Sequence, residues 1–449
     1  MDDRLKNEQI IYQKVQECLG EADMEQQAII ALVIFLVTYA IIISEKIHRT
    51  IIAMVGAVFM VMLGIVSQET ALHHIDFNTL GLLIGMMIIV AVTAKTGLFK
   101  AIAIWAAKKA KGNPLYILIA LSLITAVGSA FLDNVTTVLL MVPVTFSITR
   151  KLEVPAFPFL MSEILMSNIG GTATMIGDPP NIMIGSAVKE LSFVAFINNL
   201  TLISMFIAVV TIVVLAFMFR KQLHTREELR QKLMQLDAVA EITDRTLLVK
   251  SLSVLVLTII GFFLHQVLHL ESATVALVGA FLLLLITGEH YLEEALTKVE
   301  WTTIFFFVGL FVLVSGLVET GIIASLAQEA INLTKGNVTA TALLILWLSA
   351  IASAFVDNIP FVATMIPMIQ EMGRMGIDNL EPLWWSLALG ACLGGNGSLV
   401  GASANLIVAG IAAKEGEKIT FLGFLKIGFP LMILSIVIST FYIYFRYLI

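Results

Sequence analysis

Charge is what this chain has least of. Of 449 residues only 13% are Asp, Glu, Lys or Arg, while 59% are hydrophobic. That is about half the charge of a soluble domain, too little to dress a water-facing surface. A polytopic membrane protein is expected. Cysteine is nearly absent as well: Cys18 and Cys392 are the whole set. A disulfide framework is thereby excluded, and no Cys/His spacing resembles a metal site. Lys and Arg are missing from four long stretches, 116–148, 153–188, 339–371 and 379–412. An anion site within them would have to rely on helix dipoles and backbone amides, whereas uncompensated carboxylates favour cations. There is no Gly-x-x-x-x-Gly-Lys-Ser/Thr, His-Glu-x-x-His or Gly-x-Ser-x-Gly, so neither a nucleotide-driven pump nor a hydrolase is expected. Without a basic face interleaved with aromatics, nucleic acid is not an expected partner.

What is present is apolar sequence in runs long enough to cross a bilayer. They lie at about 27–44, 51–67, 78–95, 201–219, 246–266, 272–288, 302–319 and 428–448. Residues 1–26 are polar and acidic, and read as an extension rather than a cleavable signal peptide. The expected location is the plasma (inner) membrane, with the lipid bilayer as the principal partner.

Within the apolar sequence a pattern repeats. Ala-Phe-Leu-Asp133-Asn134 recurs as Ala-Phe-Val-Asp357-Asn358, 224 residues on. The same offset carries Gly85 onto Gly309 and Thr96-Gly97 onto Thr320-Gly321. It also carries Lys111-Gly112-Asn113 onto Lys335-Gly336-Asn337, Pro143 onto Pro367, Gly177 onto Gly401 and Asn181 onto Asn405. The chain therefore divides into an extension (1–26), repeat 1 (27–219), a basic linker (220–245) and repeat 2 (246–449). The linker holds Arg220, Lys221, Arg226, Arg230, Lys232 and Arg245, which places it in the cytoplasm. Segment 95–114 has five lysines, whereas its counterpart 319–338 has only Lys335 alongside Glu319 and Glu329. Equivalent loops with opposite charge bias face opposite sides, so the repeats are expected to be inverted, as in many secondary transporters. Segments 115–132 and 134–149 then read as a re-entrant hairpin tipped by Asp133-Asn134, and Leu98–Lys111 as an interfacial amphipathic stretch.

The second informative region is Ser167-Asn168-Ile169-Gly170-Gly171-Thr172-Ala173-Thr174-Met175-Ile176-Gly177-Asp178-Pro179-Pro180-Asn181. Its counterpart is Gly394-Gly395-Asn396-Gly397-Ser398-Leu399-Val400-Gly401-Ala402-Ser403-Ala404-Asn405. Gly pairs, Pro-Pro and Thr/Ser/Asn clusters are poor helix interiors, so each region is expected to be a span that unwinds in mid-membrane. Unwound backbone is tolerated there only where it is buried or lines a polar cavity. Its freed carbonyls and hydroxyls can coordinate Na⁺, and half-helix N-termini can face an anion.

The Asp-Asn hairpins, the Gly-Gly-Thr-Ala-Thr-x-Ile-Gly-Asp-Pro-Pro-Asn run and its Gly-rich partner resemble the ArsB/NhaD branch of the ion transporter superfamily. Within it the look is that of the melanosomal P-protein group and its bacterial relatives. The resemblance covers nearly the whole chain. It implies an all-α polytopic fold of two inverted-topology repeats, with re-entrant hairpins and interrupted helices meeting near the midplane. It also implies elevator-like movement and a homodimer. Members move sodium or protons, arsenite, or organic anions, so the substrate expected is a small inorganic ion or small anion.

Asp133 and Asp357 are expected to carry the cation or proton, because competition of both for one desolvated carboxylate is the simplest route to antiport. Capping of the returning helix is an alternative or additional role for each. Asn134 and Asn358 would add neutral oxygens, making these four residues the candidate Na⁺ ligands. Gly170, Gly171, Thr172, Thr174, Gly395, Asn396 and Ser398 would complete the shells, with Asn181 and Asn405 fixing the breaks. Asp178 has no acidic counterpart, since Ala402 stands at the equivalent position. It would tune coupling or substrate choice, or else cap the helix that begins at Pro179. Glu163, opposite Leu387, reads equally as a cavity residue or a packing acid. No cofactor is expected beyond Na⁺ as a coupling ion. A proton-linked Na⁺/H⁺-type antiporter is the leading function; Na⁺-coupled anion or arsenite transport and an anion channel remain open.

Overall fold

The computed structural model describes residues 25–44 and 46–449. The expected acidic extension, apart from its last two residues, lies outside the described residues, as does Cys18. Every regular element among the described residues is helical. The first repeat runs α1 (Glu25–Ser44), α2 (Arg49–Met62), α3 (Gln68–His74), α4 (Phe77–Ala94), α5 (Leu98–Lys109), α6 (Pro114–Phe131), α7 (Asn134–Leu152), α8 (Phe157–Thr172) and α9 (Pro179–Ala187). Helix α10 (Phe193–Phe196) passes through a π turn into α11 (Leu202–Phe219), and the linker carries α12 (Glu227–Met234). The second repeat follows as α13 (Arg245–Leu264), α14 (Ser272–Thr287), α15 (His290–Lys298), α16 (Trp301–Glu319), α17 (Ile322–Thr334), α18 (Val338–Phe355), α19 (Asn358–Arg374), α20 (Glu381–Gly394), α21 (Ser403–Lys414) and α22 (Phe421–Ile443). Shifted by 224 residues, the two series superpose almost helix by helix.

The repeat extends to the turn chemistry. Gly97 and Gly321, equivalent residues, hold φ of 78° and 73°, which a side chain rarely tolerates. Lys111-Gly112 and Lys335-Gly336 are both left-handed, and the asparagine after each pair caps the next helix. Asn113 Oδ1 accepts from the Leu115 amide at 3.0 Å and Asn337 Oδ1 from the Ala340 amide at 2.9 Å. These local choices end α5 and α17 and start α6 and α18.

Among the described residues nine helices are long and apolar enough to span a bilayer. The protein is a multi-pass integral membrane protein. The expected runs at 51–67 and 272–288 form shorter helices, α2 and α14, of 14 and 16 residues. At 1.5 Å per residue these reach only about 21 and 24 Å, short of the ~30 Å hydrocarbon core.

The chain forms two compact units. One comprises residues up to Asp76, Trp301–Lys335 and Pro367–Ile377. Its centre is α2 against α16, where the bare face of Gly309 meets the backbone of Ala53. The other comprises Phe77–Glu300, Gly336–Ile366 and Asp378–Ile449. There Gly85 of α4 lies against the backbone of Ala276 in α14, the same contact seen through the repeat. In both units a helix of one repeat is thus clasped by the other.

In the second unit the basic segments gather on one face. Lys108 Nζ donates to the Leu236 carbonyl at 2.6 Å, Lys100 pairs with Glu241 at 2.5 Å, and Thr243 Oγ1 donates to the Lys95 carbonyl at 2.8 Å. Thr225 Oγ1 donates to the Leu152 carbonyl beside Arg150-Lys151. The open end of the α6–α7 hairpin is on this face. Helix α22 leaves from it, near the Arg150–Glu415 pair, and ends where Tyr442 donates to the Asn199 carbonyl. Trp347 of α18 donates to Thr440 towards that far end. Helix α18 therefore comes in from the opposite face of this unit, and the tips meet inside it: the repeats are inverted.

Candidate functional site

All fourteen expected site residues fall in the second unit. The site is built from two helix breaks and two hairpin tips. After α8 the chain unwinds over 173–178 and resumes as α9; after α20 it passes through a short 3₁₀ turn and 398–402 before α21. The breaks are equivalent in detail. Asn181 Nδ2 donates to the Thr172 and Thr174 carbonyls at 3.1 and 2.9 Å, and Asn405 Nδ2 to those of Gly395 and Ser398 at 2.8 and 2.9 Å. One amide thus satisfies two carbonyls freed by the loss of helix, which would be costly unpaired at this depth.

Each break is pressed onto its hairpin, and glycine permits the approach. A Cβ on Gly170 would overlap the backbone of Ala126 in α6, and one on Gly394 would meet that of Ala350 in α18 at 2.6 Å. Ser129 Oγ donates to the Ser167 carbonyl at 2.5 Å, and Ser353 Oγ to that of Ala391 at 2.6 Å. The broken spans and the packing glycines are one feature.

The tips divide their labour between Asp and Asn. Asp133 accepts from the amide of Thr136 at 2.7 Å and from its hydroxyl, capping α7. Asp357 accepts from the Ile359 amide at 3.1 Å and from Ser403 Oγ at 2.7 Å, which ties the tip to α21. The asparagines reach the other way. Asn134 Nδ2 donates to Asp178 Oδ1 at 3.3 Å, and Asn358 Nδ2 to the Asp178 carboxylate at 3.4 and 3.5 Å. The Asp178 side chain makes no capping bond to α9. Its fully buried carboxylate is where the tips of both repeats meet. The reading of the Asp178 carboxylate as a cap is thereby corrected: Pro179 and Pro180 offer no amide, and the first free one, that of Asn181, goes to the Asp178 backbone carbonyl at 3.0 Å.

The three aspartates gather at one junction, Asp133 and Asp357 each next in the chain to an asparagine that donates to Asp178. Four helix N-termini converge on them, those of α7, α9, α19 and α21. Their positive ends supply the compensation that side chains do not.

Sequence reasoning passed over Asn168. Its Oδ1 accepts from Asn134 at 3.1 Å, while its Nδ2 donates to Asn396 Oδ1 at 2.9 Å and Asn405 Oδ1 at 3.0 Å. Asn396 Nδ2 continues to the Leu165 carbonyl at 3.3 Å. A chain of amides thus joins the first tip to the second break. Cys392, the repeat counterpart of Asn168, was also unassigned; its thiol faces Asn181 Oδ1 at 3.5 Å and touches Asp178. A polar residue at both positions of an otherwise apolar register was the available signal.

The hydroxyls of the breaks serve the backbone first. Thr172 donates to the Asn168 carbonyl at 2.7 Å, Thr174 to that of Ala130, and Ser398 accepts from the Val400 amide at 3.2 Å. The two threonine oxygens keep lone pairs with which to ligate a cation. Gly171 and Gly395 line the turns, their carbonyl side against Gly177 and Gly401. Glu163 lies apart in an apolar cluster of α7, α8 and α21. It accepts from Thr145, and its Oε2 has no protein partner.

Opposed hairpins, paired helix breaks and a buried carboxylate cluster in an apolar helical chain define a membrane transporter. Comparison with known proteins agrees. A profile described as citrate transporter, CitMHS, matches residues 39–390, and the chain belongs to that family of the ion transporter superfamily. It is 42% identical over 426 residues to an uncharacterized transporter of Mycobacterium bovis, Mb2703, covering 94% of this chain and 99% of the relative. It is 34% identical over 507 residues to the human P protein, covering 94% of this chain and 60% of that one. Among solved structures, the Alcanivorax borkumensis YdaH transporter, whose topology is described as unusual, matches with TM-score 0.57. It does so at 11% identity, over 93% of this chain and 97% of that one, a likeness of fold alone.

Proposed function

We propose that the protein is a proton-linked cation antiporter, most simply a Na⁺/H⁺ exchanger, with Asp178 as the carboxyl that changes partner. The observation that carries this reading is the fully buried Asp178 carboxylate, held by the tip asparagines of both repeats and flanked by two further aspartates. In one half-cycle the protonated carboxyl gives up H⁺ and takes Na⁺; in the other, Na⁺ leaves and a proton returns. Asn134 and Asn358 hold that carboxylate from the two tips, Asp133 and Asp357 fix the tips through Thr136, Ile359 and Ser403, and Thr172, Thr174 and the break carbonyls supply neutral oxygens. The tips and breaks move as a body past the rest of a dimeric assembly in an elevator-like cycle, as the family resemblance suggests.

A second reading, Na⁺-coupled uptake of a small carboxylate, draws on the four helix N-termini at the site and on the family's citrate-transporter description. Purified protein in liposomes separates the two. An imposed Na⁺ gradient drives proton movement without added anion under the antiport reading. Under the second reading ²²Na⁺ uptake requires the anion, and citrate is the first to try. Absence of Na⁺-driven proton movement at every pH tested would remove the antiport reading.

A further inference from the structure

We propose that a cavity of about 510 Å³ in the second unit is the cytoplasmic water path to the first hairpin tip, an inference that rests on the tip cluster being the transport site. The cavity is walled by α4, α7 and the segment from α15 to Glu300. Its lining on the side of the hairpin includes Thr136, the residue whose amide and hydroxyl hold Asp133. One hydrogen bond therefore separates the lining of the cavity from a site carboxylate.

The mouth lies on the basic face. Lys95 pairs there with Glu294 and stands 4.7 Å over the ring of Tyr291, and its own carbonyl accepts from Thr243 of the linker. Lys298 and Glu300 complete a rim of two positive and two negative side chains, which neither repels nor traps a cation. Lys95 and Glu294 are both partly exposed, so their pair is weakly held and opens readily. Between rim and floor the walls are apolar, with Met87, Val90, Leu139 and Leu140. Such a neck passes water and small ions when wet and blocks them when it dries. The volume far exceeds the ~10–15 Å³ that one water needs. At the other end of α4 a hollow of about 340 Å³ reaches Met175 but none of the polar groups bonded to the aspartates.

The test uses the full-length protein with Cys18→Ser as background. Ala91→Cys, on the neck wall, is treated with a membrane-impermeant methanethiosulfonate in inside-out and right-side-out vesicles. Val209→Cys, on the exposed side of α11, serves as control. The expected result is labelling of Ala91→Cys at least tenfold faster from the cytoplasmic side than from the other side, and tenfold faster than Val209→Cys. Labelling should cut flux at least fivefold. Leu140→Cys on the facing wall gives the same readout if Ala91→Cys does not accumulate. Labelling no faster than the control, labelling faster from the opposite side, or complete labelling with unchanged flux each overturns the path. Because labelling reads water access and not ion identity, it is repeated in Asp178→Asn. If that variant still exchanges ions at the wild-type rate while Ala91→Cys labels from the cytoplasm, the site assignment fails and the path stands.

Discussion

Asp178→Asn separates the roles of the three buried aspartates. The substitution keeps shape and leaves an amide oxygen to accept from Asn134 and Asn358, so the tips stay docked. It removes the charge. Withdrawing the charged partner of a buried ion costs ~3–5 kcal/mol, so apparent Na⁺ affinity should fall by roughly a hundredfold or more, with proton coupling lost. The tip residues are different. Asp133 and Asp357 spend their oxygens on Thr136, Ile359 and Ser403, and asparagine caps a helix about as well as aspartate. Asp133→Asn and Asp357→Asn should therefore cost less than about 1 kcal/mol each, at most a fivefold change in affinity. The assay is Na⁺-driven quenching of a pH dye in proteoliposomes, with apparent Na⁺ constants measured for all three variants. Full activity in Asp178→Asn together with abolished exchange in either tip variant would refute the assignment, and would return the carrier role to the hairpins.

Three further outcomes follow from the packing. Gly170→Ala and Gly394→Ala should each lower the thermal midpoint in detergent and reduce folded yield, because the added methyl meets the backbone of Ala126 or Ala350; unchanged midpoints would show that the breaks have slack. Asn168→Ala strands the Asn396 and Asn405 oxygens, at ~1–3 kcal/mol for each group left unpaired, and should appear as a clear loss of thermal stability. Glu163→Leu, which installs the residue found at the equivalent position 387, made together with Thr145→Val, removes a buried carboxyl with one unpartnered oxygen along with the hydroxyl that donates to it. It should leave stability unchanged or raised, and a marked loss would mean that Glu163 holds an ion or water in the working protein.

Much of this architecture was legible because the offset of 224 is carried by residues with rigid demands. Glycine at a left-handed turn, asparagine at a cap and glycine at a backbone crossing cannot be exchanged freely, so both copies still show them. The gathering of 95–111 with the linker was legible because lysines cluster where they meet water. The division of work at the tips was not. Asp133 and Asn134 are adjacent, and which one turns back to cap α7 and which reaches across depends on cap geometry at a single helix start. Asn168 escaped for another reason: comparing repeats rewards identity, and its counterpart is Cys392. The asymmetry of Asp178 was visible as Ala402, but its place at the crossing of two hairpins arises only when both repeats fold around it.

The clasp of α4 by α14, and of α16 by α2, has a consequence for biogenesis. Gly85 must wait for Ala276, about 190 residues later, and at ~5–20 residues per second that is roughly 10–40 seconds of synthesis. Throughout that interval α4 stands in the bilayer with the bare face of Gly85 uncovered, available to any other small-residue helix. The first half of the polypeptide cannot complete its own helix pairing on leaving the ribosome. Split between α11 and α13 and made as two chains, the protein should be recovered only when both halves are inserted in the same membrane.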